Sequence, residues 1–136
     1  MPVYSLTSKQ SINEEQKHAL VNMITDTHCG LTGAPEQFVH VLFSEGYPLI
    51  NDSELYIHAN VRAGRTEGTI SEMKETFIQQ SSRILDVPSG KIYINLLEIQ
   101  PKWIMEGGFV MPEPGEEDEW IEKVTKALKE RNTVQA

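Results

Sequence analysis

The groups in this sequence best suited to chemistry begin with its second residue. Pro2 follows the initiator methionine in Met1-Pro2-Val3-Tyr4. Methionine ahead of a residue as small as proline is ordinarily removed during synthesis, which leaves a secondary amine at the head of an apolar segment. Burial or neighbouring cations bring such an amine toward neutrality, where it serves as a general acid or base. Taken alone, the same residue reads as a proline that opens a strand, where a missing N–H costs nothing.

A second cluster is Arg62-Ala63-Gly64-Arg65. Two guanidinium groups three residues apart around a glycine can converge on one carboxylate, because each planar fork binds both oxygens. The alternative is a pair of exposed loop arginines. Glu106 precedes Gly107-Gly108 among the apolar residues Trp103, Ile104 and Met105. Partly desolvated, its carboxylate can activate water; otherwise it is an exposed glutamate. His28 stands near the end of a predicted helix, ahead of Cys29-Gly30, where an imidazole also complements the helix C-terminus. Tyr93 and Asn95 lie two apart on a predicted strand and so share a face. Cys29 has no neighbouring general base and reads as structural.

Composition narrows the partners. A formal charge of −8 over 136 residues argues against nucleic acid, whose binders carry a basic stripe. Much of the acidity sits in Glu116, Glu117, Asp118 and Glu119, which reads as the capped first turn of a helix with a solvated face. The lone Cys29 excludes an intramolecular disulfide and fits a reducing compartment, so the expected location is cytoplasmic. No apolar run approaches the ~18–20 residues of a membrane span. His and Cys are not paired at ligand spacing, and no metal or other cofactor is expected.

These groups need a scaffold, and the chain reads as one strand–helix–strand unit written twice, over about 2–50 and 55–103, within a single domain spanning 1–136. In the first unit Val3 to Ser8 are extended, and Ser11 with Glu14 form a predicted capping box. Leu20, Met23, Ile24, Thr27 and Leu31 then recur at helical spacing up to Gly30 and Gly33, and Val39 to Phe43 alternate as a strand. In the second unit Leu55 to Val61 form a strand, Thr69 and Glu72 a second predicted box, Ile70 to Ile84 a helical stripe, and Ile92 to Leu96 a strand. A shift of ~53 positions puts Leu20 on Met73, Ile24 on Phe77, Val41 on Ile94 and Pro48 on Pro101.

The expected fold class is α+β: tandem β-α-β units forming a four-stranded, mainly parallel or mixed sheet with two helices on one face. An extension over 104–136 adds a C-terminal hairpin and helix. Two helices cover one sheet face, so the other needs cover, which an oligomer supplies. The shift also puts Pro2 on Leu55. Taking those two strands as parallel leaves Arg62 and Arg65 at the far end of the third strand, away from the register of Pro2.

The chain resembles the tautomerase superfamily, and within it the cis-3-chloroacrylic acid dehalogenase group, from residue 1 to about 120. The carrying segments are Met1-Pro2-Val3-Tyr4, Ile24-Thr25-Asp26-Thr27-His28 with Gly30-Leu31-Thr32-Gly33, Arg62-Ala63-Gly64-Arg65-Thr66-Glu67, and Glu106-Gly107-Gly108 followed by Pro112 and Pro114-Gly115. The resemblance implies a homotrimer in which Pro2 acts as acid or base. It implies that Arg62, Arg65 and His28 hold a substrate carboxylate and that Glu106 activates water. The group's tyrosine position falls on Asn95, which has no phenolic O–H. The resulting expectation is a cofactor-independent tautomerase acting on a small unsaturated or enolic carboxylate. Its alternatives are a true cis-3-haloacrylate dehalogenase or hydratase, and a non-catalytic binding protein on the same scaffold.

Overall fold

The computed structural model describes residues 1–135. Two β-α-β units follow one another: β1 (Val3–Ser8), α1 (Glu14–Thr32) and β2 (His40–Glu45), then β3 (Leu55–Arg62), α2 (Glu67–Leu85) and β4 (Ile92–Ile99). A two-stranded hairpin of β5 (Met105–Glu106) and β6 (Phe109–Val110) leads to α3 (Glu117–Gln135). The four long strands form one mixed sheet in the order β2-β1-β3-β4.

Both helices lie on one face because their buried residues recur four apart. Leu20, Ile24 and His28 line α1, and Met73, Phe77 and Ser81 line α2. Opposite them the even–odd alternation of the strands presents Tyr4 and Leu6 from β1 and Leu55, Ile57, Ala59 and Val61 from β3, all essentially inaccessible. Each large apolar side chain in this layer contributes about 1.5–3 kcal/mol by leaving water. The other face stays bare, with Leu42, Tyr93 and Leu97 exposed on it.

The sheet is mixed, as the expected fold class allowed; only the direction of β3 against β1 differs from the sequence expectation. Each unit is internally parallel, β1 with β2 and β3 with β4, but β1 and β3 run antiparallel. The reason is the connection. β2 ends at Glu45, paired with Ser8, and β3 starts at Leu55, also paired with Ser8. Segment 46–54 therefore only crosses the end of β1. Parallel units would have needed a return along the ~20 Å length of the strand.

The caps differ as well. Asn13, not Ser11, closes the α1 capping box: its side chain accepts from the Gln16 N–H at 2.8 Å, and Gln16 accepts from the Asn13 N–H at 3.1 Å. Helix α2 is capped by Thr66, whose hydroxyl accepts from the Thr69 N–H at 3.1 Å, so Thr69 lies inside the helix. In both cases the capping residue is the last with extended backbone, and the predicted boxes miss that boundary by a few residues. Gly33 takes the left-handed conformation, φ 75°, that ends α1, while Gly30 stays helical.

A smaller apolar cluster of Met1, Phe38, Ile104 and Met111, with Trp120 and Ile121 against it, ties the hairpin and α3 to the sheet. The Trp120 indole N–H donates to the Val110 carbonyl at 2.6 Å, and its ring meets Phe38 edge-on at 5.7 Å.

Candidate active site

The antiparallel β1–β3 ladder sets Val3 opposite Asn60, so the end of β3 arrives beside the amino terminus. Pro2 is buried, and its carbonyl accepts from the His40 N–H at 3.0 Å. The Met1 ammonium forms an ion pair with Glu106, which the β5–β6 hairpin carries up to it. Burial, and then the Arg62 charge, lower the amine to about 6. The site thus already pulls a terminal amine toward neutrality.

Arg62 is among the largest fully buried side chains, 2% exposed. Its Nη1 donates to the Pro112 carbonyl at 2.8 Å and its Nη2 to Glu117 Oε1 at 2.6 Å. Burial is the largest single influence on Glu117 and opposes its ionisation, but the hydrogen bond and charge of Arg62 together with backbone N–H donors outweigh it and hold the carboxyl below its usual range. Gly64, at φ 110°, reverses the chain so that Arg65 turns back and donates through Nη1 to the Arg62 carbonyl at 2.6 Å. The Arg65 Nε and Nη2 are buried and have no partner among the described residues. Burial and the Arg62 charge push the Arg65 guanidinium down from its usual value.

His28 is inaccessible, and its Nδ1 lies 2.7 Å from the Tyr4 hydroxyl. Burial, followed by the charges of Arg65 and Arg62, lowers the imidazole to about 3, so the ring is neutral. Burial raises the Tyr4 phenol, against the opposing charge of Arg65. In the neutral tautomer that lets Tyr4 donate to Nδ1, the second ring nitrogen carries the proton. That His28 Nε2 also lacks a partner among the described residues. The orphaned groups of His28 and Arg65 are therefore all donors, and a buried donor without an acceptor costs about 1–3 kcal/mol.

An open groove of about 610 Å³ runs past the amino terminus, lined by Met1, Val3, His40, Asn60, Trp103 and Glu106 among others. The His28 and Arg65 donors are not part of this lining, and His28 lies on the helix-covered side of the sheet. Of the residues singled out in the sequence, the structure brings Pro2, Glu106, Arg62, Arg65 and His28 to one end of the sheet. It does not bring Asn95 there. That side chain lies on the bare face, with its amide 3.2 Å from His58 Nδ1. Tyr93 stacks on Tyr56 with ring centroids 5.4 Å apart. Among the described residues no group of three His, Cys, Asp or Glu side chains is placed to hold a metal ion.

Sequence reasoning missed two partners. Glu117 was hidden in an acidic run that reads as helix capping, whereas Glu116, Asp118 and Glu119 around it are exposed and Glu117 is buried. Tyr4 carried a readable signal: it falls on the apolar face of β1, and a buried tyrosine hydroxyl needs a partner.

Among solved structures, one described as N1, a member of the cis-3-chloroacrylic acid dehalogenase family, aligns with a TM-score of 0.83 over 95% of this chain and 96% of its own, at 27% identity. The fold is that of the tautomerase superfamily. Ps01740 aligns with a TM-score of 0.70 over 76% of this tautomerase-fold chain and 99% of its own, at 26% identity. A fused 4-OT described as an asymmetric trimer shares the fold at 22% identity, with a TM-score of 0.70 over 79% of this chain and 94% of its own. No protein-family model matches the chain, and no curated protein does. No helix among the described residues is long and apolar enough to cross a membrane.

Proposed function

We propose that the chain, once Met1 is removed, is a cofactor-independent tautomerase that uses the Pro2 amine as acid and base on a small enolic or unsaturated carboxylate. The observation that carries this reading is the set of buried, unpartnered donors, His28 Nε2 and Arg65 Nε and Nη2, at the same end of the sheet as the amino terminus. Donors with no acceptor, in the positive field of Arg62, fit a substrate carboxylate. Loss of Met1 vacates the space its side chain fills beside Phe38, Ile104 and Met111 and exposes the Pro2 nitrogen.

In the proposed cycle the neutral Pro2 amine takes the proton from the enol oxygen. The oxygen's electrons form the carbonyl as the C=C bond opens, and the ammonium returns the proton to carbon. The amine must be neutral to begin, and the burial and Arg62 charge that lower the Met1 amine to about 6 act one residue from the Pro2 nitrogen. Replacement of Pro2 by alanine, in protein whose N-terminus is verified by intact mass, abolishes keto–enol turnover while the fold is kept. Undiminished turnover by Pro2→Ala refutes the assignment.

The closeness of Glu106 to the terminal amine favours a second reading, hydration of a haloacrylate. A protonated Pro2 donates to one alkene carbon while Glu106 takes a proton from the water that adds to the other, and the halohydrin then expels hydrogen halide. Halide release from cis-3-chloroacrylate faster than tautomerisation would select this reading. Retention of Met1 in the natural host makes the Pro2 nitrogen an amide, which is no base, and selects a non-catalytic binding role. The bare sheet face, with Leu42, Tyr93 and Leu97 exposed, supports assembly as a homotrimer, read by sedimentation.

A further inference from the structure

We propose that Glu117, at the start of α3, is a positioning residue that acts through Arg62. Glu117 holds one terminal nitrogen of that guanidinium and the Pro112 carbonyl holds the other, so Arg62 supplies charge behind the amine while Arg65 and His28 alone receive the substrate carboxylate. The inference rests on the tautomerase reading and changes the part that Arg62 plays in it.

The geometry is closed on every side. One carboxylate oxygen of Glu117 takes the Arg62 Nη2–H at 2.6 Å, and the other takes the Gly115 N–H at 2.9 Å. The Pro112 carbonyl holds Arg62 Nη1 at 2.8 Å. Side-chain exposures of 2% and 8% for Arg62 and Glu117 bury both partners of the pair. A carboxylate bound by both Nη groups would have to displace Glu117 from a buried charged pair, which is the costly way to break one. The clamp is itself pinned, because Trp120, on the same helix, is bonded to Val110 of the hairpin that carries Glu106. One short segment therefore fixes both the cation and the carboxylate that face the amine.

The titratable groups around the amine are the charged Glu106 from the hairpin and Arg62 from β3, and the neutral His28 from α1. Arg65 faces Tyr4, Glu98 and Glu117. The substitution Glu117→Gln keeps an oxygen acceptor for Arg62 and removes one negative charge. The local field then becomes more positive, which disfavours the protonated amine and favours a bound anion.

The test is an ¹⁵N NMR titration of the Pro2 amine in processed protein, beside the KM for an enol carboxylate. In Glu117→Gln the amine midpoint falls by about half a pH unit or more and KM falls about threefold, the same half unit expressed as affinity. An unchanged midpoint, or a KM that rises, overturns the proposal. Should the single variant fail to fold, the double variant Arg62→Gln/Glu117→Gln replaces the ion pair with two amides. Its amine midpoint rises, because the nearer charge is gone, and a midpoint that stays put overturns the proposal. The titration needs no turnover. A midpoint that moves in an inactive protein therefore refutes the tautomerase reading and keeps the clamp.

Discussion

At one end of the β1–β3 ladder Val3 faces Asn60, and at the other Ser8 faces Leu55. Under the ~53-residue shift the two ends correspond: Pro2 falls on Leu55, His28 on Ser81, Arg62 on Lys9 and Arg65 on Ile12. The first end has the amino terminus, two arginines and a groove of about 610 Å³. The second has a hollow of about 130 Å³ between Ser8, Ile12, Glu54 and Leu85. There the backbone is tied into the sheet, with the Glu54 N–H donating to the Lys91 carbonyl at 2.7 Å and the Glu54 carbonyl accepting from Lys9 at 3.1 Å. The antiparallel union brings the head of one unit to the tail of the other at both ends. Only one of those heads is a chain terminus, and only a terminus supplies an amine. The scaffold is shared, and the proposed chemistry is not.

The change that breaks this contrast most strongly is Arg65→Ala, which makes the first end more like the second. It removes the charged donors proposed for the carboxylate, and a hydrogen bond to a charged group is worth about 1.5–3 kcal/mol. The expected loss is about 100-fold in kcat/KM. The fold stays intact, because the side chain makes one hydrogen bond, to the Arg62 carbonyl. Steady-state kinetics beside a thermal melt check both halves. A KM unchanged from the parent would mean the carboxylate is held elsewhere.

Next in size is His28→Ser, which gives the first end the residue of the second. It leaves the buried Tyr4 hydroxyl without its partner and opens space under the sheet, at an expected cost of about 2–3 kcal/mol in urea denaturation. The pH dependence carries a sign. Folding lowers His28 from 6.5 to about 3, so between those values the unfolded chain binds the extra proton. The contribution of the neutral buried ring is whole above 6.5 and is lost as the pH falls toward 3. Stability of the His28→Ser chain therefore falls less steeply over that window. Parallel curves would show that His28 does not titrate with unfolding.

Much of the scaffold was legible because periodicity is local. Leu20, Ile24, Met73 and Phe77 announced the buried helix faces, and Val41 with Ile94 the returning strands, each from spacing alone. The direction of β3 against β1 was not legible: alternation within a strand is the same whichever way its neighbour runs, and the decision lies in where segment 46–54 starts and stops. That single fact carries Arg62 and Arg65 to the amino terminus. Asn95 marks another limit, since it shares a sheet face with Val3, His40 and Asn60 of the groove but lies beside His58, short of the end where Glu106 meets the terminus. Glu117 marks a third, because one carboxylate in a run of four reveals itself as buried only once Pro112 and Arg62 close over it.

The smallest expected effect isolates the orphaned groups. Ser81 Oγ, like His28 Nε2, is buried with no partner among the described residues, yet the two fit different accounts. A hydroxyl left unpaired between α2 and the sheet has nothing to gain from substrate, whereas the imidazole N–H would be satisfied by the proposed carboxylate. Ser81→Ala removes the unpaired group and very little volume, so stability rises by up to about 1 kcal/mol while turnover and KM stay as they were. Urea denaturation with and without a saturating carboxylate inhibitor separates the cases. The ligand should stabilise the parent and Ser81→Ala alike, but His28→Ser less. Equal stabilisation of all three would place the anion away from His28 and remove the distinction drawn between the two ends.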